Sequence, residues 1–286
     1  EALVVFKSLM GSDIRTPQQT AAAVEVINLL ADAGNLEDLI NYLDRLSNQA
    51  GVRNALAWYA NQIIVLGDEL VGAASAQSYE SALVIYQSVP PRSEILETQK
   101  QALETERRNV KALENRVAAD KGKPLGQQTN ASELLNSLKP AVELAEKALA
   151  AVEEKTDLDA ALLMRRGRCF YYLDRYEEAL VCFRTLRLKY ENSTDAKAAA
   201  YAEIIILNKL QNIPEIRVLC DAFLRKYPDS ENAEQVATLA GEVLVQSGNW
   251  AEVGRFYSDL ETKFPKSASL DRYTFYQGLA MFQDGS

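Results

Sequence analysis

The side chains best suited to proton transfer in this chain are carboxylates: Glu104 with Glu106, Glu153 with Glu154, and Glu177 with Glu178. Paired carboxylates do acid/base work when they converge on a substrate, as in glycoside hydrolysis. Neighbours one apart on a helix point about 100° apart, and all of these sit in polar stretches, so they read as solvated faces. The chain has no histidine. That removes Ser-His-Asp and Cys-His catalysis and the commonest transition-metal ligand. Its three cysteines, Cys169, Cys182 and Cys220, form no Cys-x-x-Cys pair and read as small buried apolar residues. A disulfide between Cys169 and Cys182 requires that two helices bring them face to face. No phosphate-binding glycine loop, dinucleotide fingerprint or calcium-loop spacing occurs. Asn-x-Ser/Thr acceptors at 130–132 and 192–194 fall where a turn or cap is expected anyway. The expectation is a non-catalytic chain with no cofactor and no metal.

The elements that must carry any other function are helical. Apolar residues make up 48% and charged ones 25%, and glycine and proline are scarce, which favours helices. A net charge of −9 argues against nucleic acid as a partner and against docking on an anionic membrane surface. No apolar run is long enough to cross a membrane; the greasiest piece, "IIIL" at 204–207, is core-length. Residue 1 is Glu rather than Met, so the chain reads as a processed or trimmed product whose missing start had room for an export signal or lipid anchor.

Three phrases return at a fixed interval of thirty-seven residues: "LKYENS" from 188, "RKYPDS" from 225 and "TKFPKS" from 262. In that register Gly167, Ile204, Gly241 and Gly278 are equivalent, as are Phe170, Leu207, Leu244 and Met281. Further on come Ala179, Ile216 and Val253, then Phe183, Cys220 and Tyr257, then Leu186, Phe223 and Leu260. Apolar steps of three and four residues fit one face of a helix. The breaks at 173–176, 210–214 and 247–250 divide each unit into two antiparallel helices. The small residues at 167, 241 and 278 predict a close approach within each pair, against the Ala, Ile or Val of the second helix. One pair cannot bury its apolar face alone, so pairs must stack.

On these residues the units resemble tetratricopeptide repeats. Gly167, Phe170, Ala179 and Phe183 stand at the family's signature spacings, and Gly241, Leu244, Trp250, Tyr257 and Pro265 repeat them. The longer period and the "KYPDS" turn are similar to tetratricopeptide proteins of the bacterial cell envelope, of the outer-membrane-assembly and Tol-Pal-associated kinds, which implies a periplasmic or envelope-associated place. The resemblance implies an all-α, right-handed superhelical solenoid whose first helices line a concave groove for a protein or peptide ligand, within a larger complex. Carried over by register, the groove positions are Met164, Arg168, Tyr171 and Tyr172, then Tyr201, Asn208 and Lys209, then Glu242. Ile205, Thr238, Val245 and Gln246 share those positions. The chain stops at Ser286, inside the turn of a fourth unit, which reads as a cut through a longer array.

Upstream, residues 1–92 read as divergent pairs of the same kind. Ile27 and Leu30 precede a Gly34-Asn35 turn that Leu39, Leu43 and Leu46 follow, and 54–89 form a second pair with a lengthened connection. Residues 93–157 break the period. Leu96, Leu103, Val110 and Val117 recur at seven-residue steps, with a Glu104–Arg108 pair on the same helix. After a loop with Gly122, Pro124 and Gly126, Asn130 and Glu133 suggest a capping box, and Pro140 a kink or the true start of the next helix. Leu135, Val142 and Leu149 make its stripe, with Leu138, Ala145 and Val152 beside it. This is a long antiparallel hairpin inserted ahead of the repeats at 158–286. Self-association through the hairpin, or service as the scaffold part of a larger enzyme, is the alternative to peptide binding.

Overall fold

A computed structural model of the chain describes residues 17–124 and 128–285. The expectations on Glu1, Gly126 and Ser286 lie outside those residues. The described residues form helices joined by turns, with no strand among them. The described residues form two compact units that divide between Arg175 and Tyr176.

In the first unit, α1 (Pro17–Asp32) and α2 (Leu36–Ser47) pack as a pair. The turn between them places Gly34 at φ +66°, the left-handed region that glycine enters without steric cost. Asn35 then caps α2, its Oδ1 accepting from the Asp38 N–H at 3.2 Å. Ile27, Leu30, Leu39, Leu43 and Leu46 are all buried, as the pattern predicts. A short α3 (Ala50–Asn54) precedes the second pair, α4 (Leu56–Gly72) and α5 (Ala76–Ser88). A Cβ built on Gly67 of α4 would lie 2.6 Å from the Tyr86 ring on α5, so the missing side chain is what lets that ring in.

The hairpin is α6 (Arg92–Asp120) and α7 (Ala131–Glu154). At 29 residues α6 is about 43 Å long. Three ion pairs cross it: Lys100–Glu153 and Arg107–Glu146, each at 2.7 Å, and Lys139–Glu114 at 2.7 Å. Each step moves seven residues forward on α6 and seven back on α7, so the ladder follows the apolar heptad. All six side chains are well exposed, and each pair contributes roughly 0–1 kcal/mol. Their use is alignment: the sign reverses at Glu114–Lys139, which penalises a one-heptad slip. The expected Glu104–Arg108 pair forms at 3.8 Å.

The start of α7 differs from the expectation. Asn130 makes no side-chain cap, so the capping box with Glu133 is not formed. Thr129 takes over: its N–H and hydroxyl both donate to Asp120, and its Oγ1 faces the Ala131 N–H at 3.4 Å. Pro140 does not mark a start either, because α7 runs through it from Ala131. An interior proline removes the bond to the carbonyl four residues back and crowds that carbonyl; packing along α6 offsets this and the helix continues.

Arg92 closes the stem of the hairpin. Its backbone N–H donates to Asp159 at 2.8 Å, while its guanidinium reaches the carbonyls of Val152 at 3.1 Å and Glu153 at 2.8 Å. Past that stem, α8 (Leu158–Tyr172) packs directly on α5. The stacking of pairs therefore resumes as though the hairpin were absent.

The second unit runs α9 (Tyr176–Lys189), α10 (Ala196–Lys209), α11 (Ile213–Lys226), α12 (Ala233–Ser247), α13 (Trp250–Lys263) and α14 (Leu270–Gln283), each packed on the next. The thirty-seven-residue period holds in the backbone: α9, α11 and α13 end at 189, 226 and 263, and α10, α12 and α14 begin at 196, 233 and 270. Tyr190, Tyr227 and Phe264 donate their N–H groups to Leu186, Phe223 and Leu260 at 2.9, 2.7 and 2.8 Å, closing each second helix alike. The first of those ends lacks the proline of the other two, so the capping bond rather than proline stops it.

The core of this unit joins Ile204, Leu207, Ile216, Cys220 and Phe223 to Val236, and Leu244, Val253, Tyr257 and Leu260 to Tyr273. Gly241 does admit a close approach, but from Tyr257 rather than from Val253. A Cβ at Gly241 would stand 2.7 Å from the Tyr257 hydroxyl. At Gly278 a Cβ would meet nothing within 4 Å, because no second helix faces it among the described residues. All three cysteines are buried free thiols, so Cys169 and Cys182 are not bridged. Burial pushes the Cys220 thiol up to about 12.

Candidate protein-binding surfaces

Three of the paired carboxylates are engaged in structure. Glu153 pairs with Lys100, Glu104 with Arg108, and Glu106 accepts from the Asn54 amide at 3.2 Å. Glu203 on α10, fully buried, also has partners: Arg184 Nε at 2.8 Å and Arg187 Nε at 2.6 Å, both from α9. Arg184 reaches Glu215 as well. Sequence reading missed this network, because 184, 187, 203 and 215 share no motif and meet only when α9, α10 and α11 pack together.

On the first unit, α8 presents Arg168 and Tyr172 to solvent, with Tyr171 half-buried, and turns Met164 inward at 5% exposure. The Tyr172 ring stacks on Tyr79 of α5 at 4.8 Å, and Tyr171 meets it edge-on at 5.7 Å. Beside them Asp68 of α4 accepts from Arg165 Nε at 2.7 Å, Arg165 Nη2 at 2.8 Å and the Tyr86 hydroxyl at 2.6 Å. Burial works against the Asp68 charge, yet these bonds and the nearby Arg168 hold its carboxyl below the ordinary value. Arg166 donates to the Tyr86 carbonyl near the end of α5. Two successive arginines thus lock α8 onto the α4–α5 pair and leave Arg168 as the cation facing outward.

On the second unit, Tyr201, Asn208 and Lys209 lie along α10. The Tyr201 hydroxyl donates to Gln235 Oε1 of α12 at 2.5 Å, and its ring packs at 6.4 Å from Phe223. Lys209 is exposed, with its ammonium 5.7 Å from the Tyr176 ring. Asn208 contributes its carbonyl to the turn, accepting from Gln211 Nε2 at 2.7 Å. Glu242 of α12 is ion-paired to Arg272 of α14. One large residue of this face was missed: Phe275 is 62% exposed and stands thirty-seven past Thr238, so extending the register 201, 238, 275 finds it.

Residues 161–193 match the family model described as Tetratricopeptide repeat. No curated protein matches the chain. The matched stretch holds the α8–turn–α9 sequence with Gly167, Phe170, Ala179 and Phe183, so the chain carries this repeat together with further helix pairs of like construction. Such repeats generally mediate contacts between proteins. No helix among the described residues is long and apolar enough to cross a membrane.

Proposed function

We propose that this helical-repeat chain is a non-catalytic scaffold that holds a segment of another polypeptide on the outward faces of its first helices. The observation that carries the reading is the register 201, 238, 275, which puts Tyr201 half-buried and Phe275 largely exposed at equivalent points of α10 and α14. Accessible aromatics are among the residue types that anchor interfaces, and the exposed Lys209 adds a cation to the same series of first helices. Arg168 with Tyr171 and Tyr172 forms a second contact patch, on α8. A modest contact area gives transient, roughly micromolar affinity. The periplasmic or envelope part of the proposal rests on the thirty-seven-residue period and the "KYPDS" turn.

The test begins with peptides selected from a random library against the full chain. Phe275→Ala combined with Lys209→Glu should weaken their binding roughly tenfold or more, with unchanged helical signal and melting temperature. Arg168→Ala with Tyr172→Ala tests the α8 patch in the same way. Undiminished binding by both double variants would reject the assignment of these faces. The alternative, self-association through the hairpin, has its own support: Leu134 near the hairpin tip is 46% exposed. Light scattering of a chain shortened in 106–140 separates the two, since only that reading expects an oligomer to be lost.

A further inference from the structure

Where the hairpin returns, α7 lies against α4 and leaves a trough between them. Two adjoining cavities, about 220 and 90 Å³, share Trp58 and Leu144 as walls. Ile64 and Asn61 extend the α4 side, and Ala148 the α7 side. Leu144 is 38% exposed and Trp58 half-buried, so the slot is open to solvent rather than filled by side chains. In the register that aligns Gly67 with Gly241, Asn61 and Ile64 belong to the face of a first helix; α7 converts that face into a walled channel.

We infer that this trough binds a small amphipathic monocarboxylate, an alkyl tail ending in one anionic head. Size decides the tail. A dry aliphatic cavity of about 150 Å³ admits benzene, so 220 Å³ takes a hydrocarbon chain, whereas a helix about 10 Å across does not fit. Charge decides the head and its direction. Lys147 and Lys155 both line the larger cavity, and neither lines the smaller one. Lys155 donates to Asn61 Oδ1 at 3.2 Å, and Lys147 has no carboxylate partner among the described residues. Glu106 closes the far end, where a second carboxylate would be repelled. In a chain of net charge −9, two ammonium groups flanking an apolar slot select an anion. The head sits by Lys147 and Lys155, and the tail runs past Trp58 and Leu144 towards Leu138.

The test uses the full chain with Trp250→Phe, which leaves Trp58 as the sole tryptophan, titrated with dodecanoate below its micelle concentration. A saturable change in Trp58 emission is expected. Lys147→Glu with Lys155→Glu should weaken it roughly tenfold, dodecanol should bind at least as weakly, and Ala148→Phe should abolish binding by filling the slot. A melting curve checks that Ala148→Phe folds; if it does not, the exposed lysine pair decides alone. The inference is overturned by a non-saturable response, by equal binding of dodecanol, by indifference to the lysine pair, or by a folded Ala148→Phe chain that binds normally. It is also overturned if an acidic amphipathic peptide binds there and dodecanoate cannot displace it, which would make the trough a protein-docking surface.

Discussion

The side-chain oxygen of Gln99 accepts the backbone N–H of Ala57 at 3.0 Å, and neither residue is reached by solvent. Its Nε2 donates to the Asn54 carbonyl at 2.6 Å. One amide of the inserted hairpin thus satisfies both backbone groups exposed where α3 stops and α4 starts. Gln99→Leu keeps the bulk and removes both bonds, leaving a buried N–H without an acceptor. A loss of about 1–3 kcal/mol is expected in denaturant unfolding. A change under about 0.5 kcal/mol would mean that the break finds other partners.

Two equivalent glycines should respond with opposite signs. At Gly241 an added methyl meets the Tyr257 ring and hydroxyl, and overpacking of this kind costs roughly 1–3 kcal/mol. At Gly278 the same methyl meets nothing within 4 Å, so only the backbone preference remains. Gly278→Ala should therefore stabilise by about 0.5–1 kcal/mol. Melting temperatures of the two variants check this, and a fall at both positions would contradict the packing described at 278.

The Glu203 network should be asymmetric. Glu203 is fully buried, while Arg184 and Arg187 are 37% and 26% exposed. Removing both cations strands a buried carboxylate, at a cost of about 3–5 kcal/mol. Glu203→Leu leaves two arginines that can turn to water and should cost much less. Unfolding free energies of Arg184→Ala/Arg187→Ala and of Glu203→Leu decide it; equal losses would show that packing, not charge, governs the site.

Asp68 gives a pH dependence with a definite sign. Its carboxyl is held below the ordinary value when folded, so on acidification the unfolded chain takes up the proton first. The stabilisation is complete above an ordinary aspartate pKa of about 3.9 and is lost as pH falls through the lower folded value. The melting-temperature gap between the native chain and Asp68→Asn should stay constant from about pH 5 to 8 and close below about 4. The group is partly exposed, so salt should narrow the gap throughout. A gap that widens on acidification would reverse the assignment.

The turns show how far the residues could be read. Asp174, Gln211 and Gly248 are thirty-seven apart and all have left-handed backbones, at φ 56°, 56° and 71°. Only the glycine announces that conformation, because aspartate and glutamine pay for it in strain that the helix end must offset. In the first two turns it does so with a bond reaching back over the break, Arg175 N–H to Phe170 at 2.9 Å and Asn212 N–H to Leu207 at 3.0 Å. The candidate surface was legible in the same partial way. Arg168, Tyr172 and Lys209 are exposed at their expected register, but nothing local distinguishes Met164, which faces inward, or ties Glu242 to Arg272.

The residues alone determined that the chain is helical, that its pairs repeat every thirty-seven positions through 158–286, and that a heptad-patterned hairpin interrupts the series. Those features are encoded by spacing, which acts between near neighbours along one helix. Only the tertiary structure decided that α8 stacks on α5 across the insertion, that Arg92 pins its stem, and that Gln99, Glu203 and Asp68 each serve partners on other helices. Such contacts join positions separated by anything from about fifteen to a hundred residues, and their energy depends on burial and angle, which exist only after the helices have packed.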